Sequence, residues 1–161
     1  MKTPTKDFNT VDGKIRSVQV IAAALILGIV GALLVVIATL GLGKFVAPDI
    51  LAIFILVFGA ITIGLSFVVP NFIGQSNAQK ARDSHDKGSE KLFDAVAGAY
   101  MNKKIVQFAL IEGSVFASIL FFFINQNSLL LVYAVFALVV LLLGFPKRQE
   151  AQEWIDTHAT N

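Results

Sequence analysis

The chain is dominated by long apolar runs, and the most informative of them extends from Lys104 to Ile124. A helix needs about 20 mainly apolar residues to cross the hydrocarbon core of a bilayer, and this run has that length. It also contains the acidic residue Glu112, whereas no other apolar run in the chain contains a charge. The run therefore predicts a transmembrane helix that carries one carboxyl group.

Composition agrees with a membrane protein. Of the 161 residues, 56% are hydrophobic and 15% are charged, whereas a soluble domain contains about a quarter charged residues. The surplus apolar surface is expected to face lipid. The predicted fold is an all-α integral membrane protein with four transmembrane helices, at about Ser17–Leu42, Ile50–Val69, Lys104–Ile124 and Leu129–Phe145.

Polar segments separate these helices. Pro48 and the sequence Asn125–Ser128 predict short turns, and Pro70 and Pro146 predict the ends of the second and fourth spans. Short amphipathic helices are predicted at Glu90–Met101, after the N-cap Ser89, and at Gln149–His158. The first of them is expected either to lie at the membrane interface or to continue directly into the third span. The segments are a cytoplasmic tail (1–16), a first hairpin (17–70), a cytoplasmic loop (71–103), a second hairpin (104–146) and a C-terminal helix (147–161).

The positive charges predict the orientation. The tail, the middle loop together with Lys104 at the boundary of the third span, and the C-terminus hold every Lys and Arg except Lys44, which lies in the first short turn. Because cytoplasmic loops are rich in Lys and Arg, both termini and the middle loop are expected in the cytoplasm.

Two segments suggest an internal repeat. Ala24–Ala32 aligns with Ala109–Ala117, and each is followed by a short turn, a second span and a proline. The chain is therefore interpreted as two tandem hairpins in parallel orientation. Both segments place small residues four apart, which allows close approach of another backbone. The residues are Ala24, Gly28, Ala32, Ala109, Gly113 and Ala117.

These small-residue stripes have two interpretations. The simpler one packs the first and third spans together along them, at the centre of a four-helix bundle, and the other uses them as a homodimer face. Spacing alone does not choose between the two.

Glu112 is the candidate functional residue. An acidic residue at this depth costs roughly 2.5–3.5 kcal/mol on insertion scales, so it is expected to face protein or water. The spans contain no Lys or Arg that could pair with it, so its candidate partners are polar. They are Gln107, Ser114, Ser118, Thr62, Ser66 and Tyr133, together with Gln19 and Thr39.

Two functions follow from Glu112. It is either a structural hydrogen-bonding group in a non-enzymatic scaffold or interaction subunit, or a site that binds and translocates protons or cations. His85 and His158 lack the spacing of metal ligands, and no catalytic, nucleotide-binding or cofactor motif is present. The expected partners are the lipid bilayer and a second copy or another membrane protein, and not nucleic acid.

Two resemblances accompany this interpretation. The segment Ala109–Gly113 resembles the ion-binding helix of the proteolipid c subunit of rotary ATP synthases, which implies an ion-carrying carboxylate at Glu112. The order of segments across nearly the whole chain resembles a group of small four-span bacterial membrane proteins without an assigned function, and this resemblance implies a location in the bacterial inner membrane. The shared features are Ala109–Gly113, the repeated Ala24–Gly28, and Pro146 followed by basic residues and a short helix that contains Trp154.

Overall fold

The structure is a computed structural model that describes the backbone of residues 8–160 and the side chains of residues 11–160. The described chain forms five helices and no strand; its one extended pairing is an isolated bridge between Lys44 and Asn127. The all-α prediction is confirmed. The helices are α1 (Phe8–Leu40), α2 (Ile50–Ser84), α3 (Glu90–Asn125), α4 (Ser128–Leu143) and α5 (Arg148–Thr160).

Three of these helices, α1, α2 and α3, are long and apolar enough to cross a membrane. A fourth span is counted only if α4 and α5, which meet at an angle of 61°, are taken together. Many large apolar side chains on these helices are exposed, among them Leu27, Leu34, Phe54, Leu120 and Phe136. Such a surface suits lipid rather than water, so the chain is a multi-pass membrane protein.

Two helix boundaries differ from the predictions, the start of α1 and the end expected at Pro70, whereas α3 follows one of its two predicted courses. α1 begins at Phe8, inside the segment interpreted as a tail, because Val11, Ile15 and Val18 form a buried stripe along it; residues 1–7 of that segment lie outside the described residues. α3 is continuous, so the predicted helix after Ser89 extends directly into the third span. The Ser89 hydroxyl accepts the Leu92 N–H at 3.2 Å, which confirms the predicted N-cap.

The predicted end of the helix at Pro70 is wrong, because α2 continues through this residue. Proline removes one backbone donor, whereas ending the helix there would leave several backbone groups without partners. Pro70 is fully buried, and Gly74 and Ala78 continue the same buried face by one turn each. Burial of this face is the physical reason that the helix persists.

The described chain packs as two compact units. Unit 1 is formed by the residues up to 22, residues 68–107 and the residues from 146 on; unit 2 is formed by residues 23–67 and 108–145. α1, α2 and α3 each contribute one part to each unit.

Unit 2 joins its two short turns by backbone hydrogen bonds. Lys44 N–H donates to the Gln126 carbonyl at 2.9 Å, and Ser128 N–H donates to the Lys44 carbonyl at 3.1 Å. Gly43 has a φ of +72°, and a Cβ there would lie 2.5 Å from the Gln126 oxygen. Only glycine fits this crossing.

Within unit 2, α2 packs through a stripe of mostly small residues at alternating spacings of three and four, which is one helix face. The stripe consists of Ala52, Ile55, Gly59, Thr62 and Ser66, all buried. At Gly59 a Cβ would lie 2.3 Å from the Cζ and hydroxyl oxygen of Tyr133. Gly59 therefore allows α4 to approach α2 closely.

Unit 1 has its own apolar core, to which α5 contributes every fourth residue. A salt bridge between Lys14 and Asp94 at 2.7 Å and another between Arg148 and Asp12 lie in the same unit. The buried apolar core of unit 1 consists of Val11, Ile15, Val18, Ala81, Leu92, Val96, Ala97, Tyr100, Ala151, Ile155 and Ala159.

The contact at Gly59 makes a first prediction. Gly59→Ala should lower the free energy of unfolding by about 1–3 kcal/mol, because the new methyl group displaces Tyr133. The matched control is Gly64→Ala on the same helix, where a Cβ meets no atom within 4 Å. Thermal unfolding in detergent, followed by circular dichroism, should place Gly59→Ala below wild type and Gly64→Ala at or above it. Equal unfolding temperatures for both variants would contradict the packing.

Candidate functional site

Glu112 lies on the edge of the buried face of α3. One turn away, Phe108 and Val115 are buried, whereas Ala109 and Phe116 are exposed, and the Glu112 side chain is itself partly buried. Within the described residues its carboxyl group has no hydrogen bond or salt bridge. The carboxyl group is therefore available on one side of the helix and not enclosed by the chain.

Six of the polar residues expected around Glu112 are buried, but the hydroxyl groups among them bind elsewhere. Tyr133 donates to the Ser114 hydroxyl at 2.9 Å, and Ser114 donates to the Ile111 carbonyl at 2.7 Å. Ser118 donates to the Leu130 carbonyl at 2.7 Å. Because Ser114 follows Glu112 by two residues, it lies about 200° around the helix, on the opposite side.

The other expected partners are likewise bound to backbone carbonyls. Thr62 donates to Phe58 at 2.8 Å and Ser66 to Ile63 at 2.7 Å. Thr39 donates to Val35 at 2.9 Å, and Gln19 donates to Pro146 at 3.0 Å. Gln107 is buried, and within the described residues no hydrogen bond joins it to Glu112. The expected polar cluster does not assemble around Glu112.

The two small-residue stripes lie on open helix faces. Ala24 and Ala109 are exposed, and Ala32 and Ala117 are partly buried. A Cβ at Gly28 or Gly113 would meet no atom within 4 Å. The described residues therefore do not use these stripes for the central contact expected between the first and third spans, because other residues form the buried faces. The homodimer interpretation stays a prediction.

A second cluster, in unit 1, was not anticipated from the sequence. Lys104 makes a 3.0 Å salt bridge with Glu150 although only 6% of its side chain is exposed, and its Nζ lies 5.9 Å from the centre of the Tyr100 ring. The Nζ of Lys103 lies 5.4 Å from the centre of the Trp154 ring. The Tyr100 and Trp154 rings are 5.6 Å apart. We call Tyr100, Lys103, Lys104, Glu150 and Trp154 the Lys–Trp cluster.

Part of this cluster is visible in the sequence. Lys103 and Lys104 stand directly before the third span, and Trp154 is the only tryptophan of the chain. What joins them is packing between α3 and α5, which are distant in sequence.

The histidines do not form a site with each other. His85 Nδ1 lies 3.0 Å from the Ala81 carbonyl oxygen, and the His158 ring stacks on Trp154 with centres 4.0 Å apart. In residues 8–160 no three His, Cys, Asp or Glu residues are grouped to hold a metal ion.

A cavity of about 500 Å³ beside His85 is lined by Asp83, Ser84, His85, Asp86, Ser89 and Lys91.

Comparisons of this chain with models of known protein families, with curated proteins and with solved structures find no match. The function is therefore argued from the geometry.

The position of Glu112 makes a second prediction. Because its carboxyl group binds no other described residue, Glu112→Leu and Glu112→Gln should change the free energy of unfolding of the monomer by no more than about 0.5 kcal/mol. Ser118→Ala is the positive control, since it removes a buried hydrogen bond and should cost about 0.6–1.7 kcal/mol. Thermal unfolding in detergent at low protein concentration measures all three. A larger loss for Glu112→Leu than for Ser118→Ala would show a structural partner inside the monomer.

Proposed function

We propose that the protein is a small non-enzymatic membrane scaffold or interaction subunit that self-associates through its open small-residue faces. The observation that carries this proposal is the exposure of Ala109 and Gly113 on α3, next to a carboxyl group that has no partner in the described chain. Small residues at four-residue spacing allow a second backbone to come close, and polar groups strengthen such contacts. A second copy would supply both the facing backbone and the partner of Glu112.

The α1 stripe supports the same proposal. A Cβ at Gly28 meets open space, as at Gly113, and Ala24 is exposed. Small residues that packed α1 inside the chain would be covered, as Gly59 is. Two open stripes on separate helices would let one copy contact two neighbours, which is what a scaffold requires.

The proposed topology has four spans, arranged as two repeated hairpins, with both termini in the cytoplasm of a bacterial cell. α4 has 16 residues, so it is about 24 Å long, somewhat short for a hydrocarbon core of about 30 Å. Its composition is apolar throughout after Ser128, apart from the Tyr133 hydroxyl. The charge distribution supports the orientation, since Lys44 is the only Lys or Arg in either short turn.

The association proposal is tested by cross-linking. The chain has no cysteine, so single cysteines can be placed freely. Ala109→Cys should form disulfide-linked dimers when membranes are oxidised, because two α3 faces would meet there. Val132→Cys on α4 is the matched control, since this residue is 53% exposed but lies outside the stripes.

Adding Gly113→Leu to Ala109→Cys should reduce the dimer about tenfold, because a leucine holds the facing backbone away. Gly113→Leu should leave the unfolding temperature of the monomer unchanged, since the position faces open space. Ala24→Cys tests the α1 stripe in the same way. Equal cross-linking at Ala109 and Val132 would refute the proposed interface.

The topology is tested by labelling with a membrane-impermeant maleimide. Gln126→Cys should react in intact cells, and Thr157→Cys should react only after lysis, since both positions are exposed and would lie on opposite sides of the membrane. Reaction of both in intact cells would show that α4 does not cross.

The alternative function is proton or cation binding at Glu112. Its support is the same partly exposed carboxyl group, which a hydrophobic carbodiimide could reach from the lipid. This function requires modification of Glu112 that sodium or high pH blocks, and flux in proteoliposomes that Glu112→Gln abolishes. Wild-type protein without flux would leave the scaffold proposal alone.

A further inference from the structure

Within the Lys–Trp cluster, Lys103 is held in place by its neighbours. A Cβ at Gly74 would lie 3.0–3.3 Å from the Cβ, Cγ and Cδ of Lys103, so the stem of the lysine lies along the glycine backbone of α2. At its other end the ammonium group lies 5.4 Å from the centre of the Trp154 ring. A lysine stem packed on an apolar surface with its charge over an indole ring loses much of its freedom before any ligand arrives.

Lys104 has a carboxylate partner, whereas Lys103 does not. Lys104 is buried and neutralised by Glu150 at 3.0 Å. Lys103 has no carboxylate within salt-bridge distance in the described chain, and no described residue accepts a hydrogen bond from the Trp154 indole N–H. Two ammonium groups and one carboxylate leave one net positive charge, accompanied by an available N–H donor.

The position of Lys103 at the start of the apolar stretch of α3 indicates which kind of ligand it binds. Lys103 and Lys104 are the last charged residues before the apolar stretch that extends to Asn125, apart from Glu112. Tryptophan favours the headgroup layer of a bilayer, and cations next to a span attract anionic lipids. We propose that Lys103 and Trp154 form a binding site for the phosphate of an anionic phospholipid headgroup.

In this site the Lys103 ammonium and the Trp154 indole N–H donate to the phosphate oxygens. The alanines and Ile155 of α5 hold the helix in the core of unit 1, so α5 presents Trp154 from a fixed position. The Lys104–Glu150 salt bridge ties α3 to α5 next to the site. The proposal depends only on α3 entering the membrane after Lys104 and not on the proposed scaffold function.

The single tryptophan makes the test direct. Purified full-length protein in dodecyl maltoside is titrated with phosphatidylglycerol or with phosphatidylcholine, and Trp154 fluorescence is recorded. Phosphatidylglycerol should give a saturable change, half-complete at an amount of lipid about fivefold lower than for phosphatidylcholine, the factor expected for one lysine at an anionic surface. An equal response to the two lipids would overturn the proposal.

Lys103→Gln should remove the difference between the lipids, and Lys103→Arg should keep it. The matched control is Lys80→Gln, which removes the same charge from an exposed position on α2 and should behave as wild type. Unfolding temperatures of the variants establish that each is folded, and lipid retained through purification, counted by native mass spectrometry, gives a second readout. A lipid preference that survives Lys103→Gln in both readouts would overturn the site.

A titration with a water-soluble phosphate compound distinguishes binding of a lipid from binding of a free phosphate. Glycerol 1-phosphate is titrated under the same conditions, and it should give no saturable change at millimolar concentration, because it lacks the acyl chains that bring the headgroup to the site. A saturable change that Lys103→Gln abolishes would assign the site to a soluble phosphate compound and overturn the lipid proposal.

Discussion

The structure depends on one constraint, which is that backbone groups in an apolar environment must find partners within the chain. The long helices satisfy this constraint. α2 accordingly continues through Pro70, although the proline removes one backbone N–H donor. Where the chain does leave the helix in unit 2, Lys44, Gln126 and Ser128 pair the two turns with each other. The hydroxyl groups of Thr62, Ser66, Ser114 and Ser118 also donate to backbone carbonyls. Side chains that might have served Glu112 are thus already bound.

Unit 1 is stabilised by two kinds of contact, a small apolar core and salt bridges at its surface. α5 has few large apolar residues, yet Ala151, Ile155 and Ala159 are all buried, because alanine at four-residue spacing lets a short helix lie close to its neighbours. A helix of 13 residues is marginal by itself, so its position depends on this packing and on the Lys104–Glu150 salt bridge. The same contacts place Trp154 beside Lys103, so the proposed lipid site follows from the way α5 is held.

Local patterns in the sequence were sufficient for the helical class, the apolar spans and the N-cap at Ser89, since each depends on neighbouring residues. They were not sufficient where burial by distant residues decides the course of a helix, as along Val11 and Ile15 near the start of α1 and at Pro70. The small-residue stripes show the limit most clearly. Gly28 and Gly113 have alanines four residues away on both sides and lie open, whereas Gly59 has Ile55 and Ile63 at that spacing and is covered by Tyr133. Spacing identifies a face that can pack closely, and the partner of that face is set by the tertiary fold. The Lys–Trp cluster joins α3 to α5, and no periodicity within either helix reveals it.

The location of Glu112 links the two functions that are proposed for it. A carboxyl group inside a span costs roughly 2.5–3.5 kcal/mol, and the described chain offers it no hydrogen bond that would offset this cost. Its position at the edge of the buried face of α3, next to the open glycine Gly113, means that relief has to come from outside the monomer. A second helix on the stripe brings backbone carbonyls within reach of a neutral carboxyl group, whereas ion binding requires water or further polar groups at the same place. Close packing on the stripe would exclude that water, so the two proposed functions would compete for one surface, and the state of association would determine which of them Glu112 could perform.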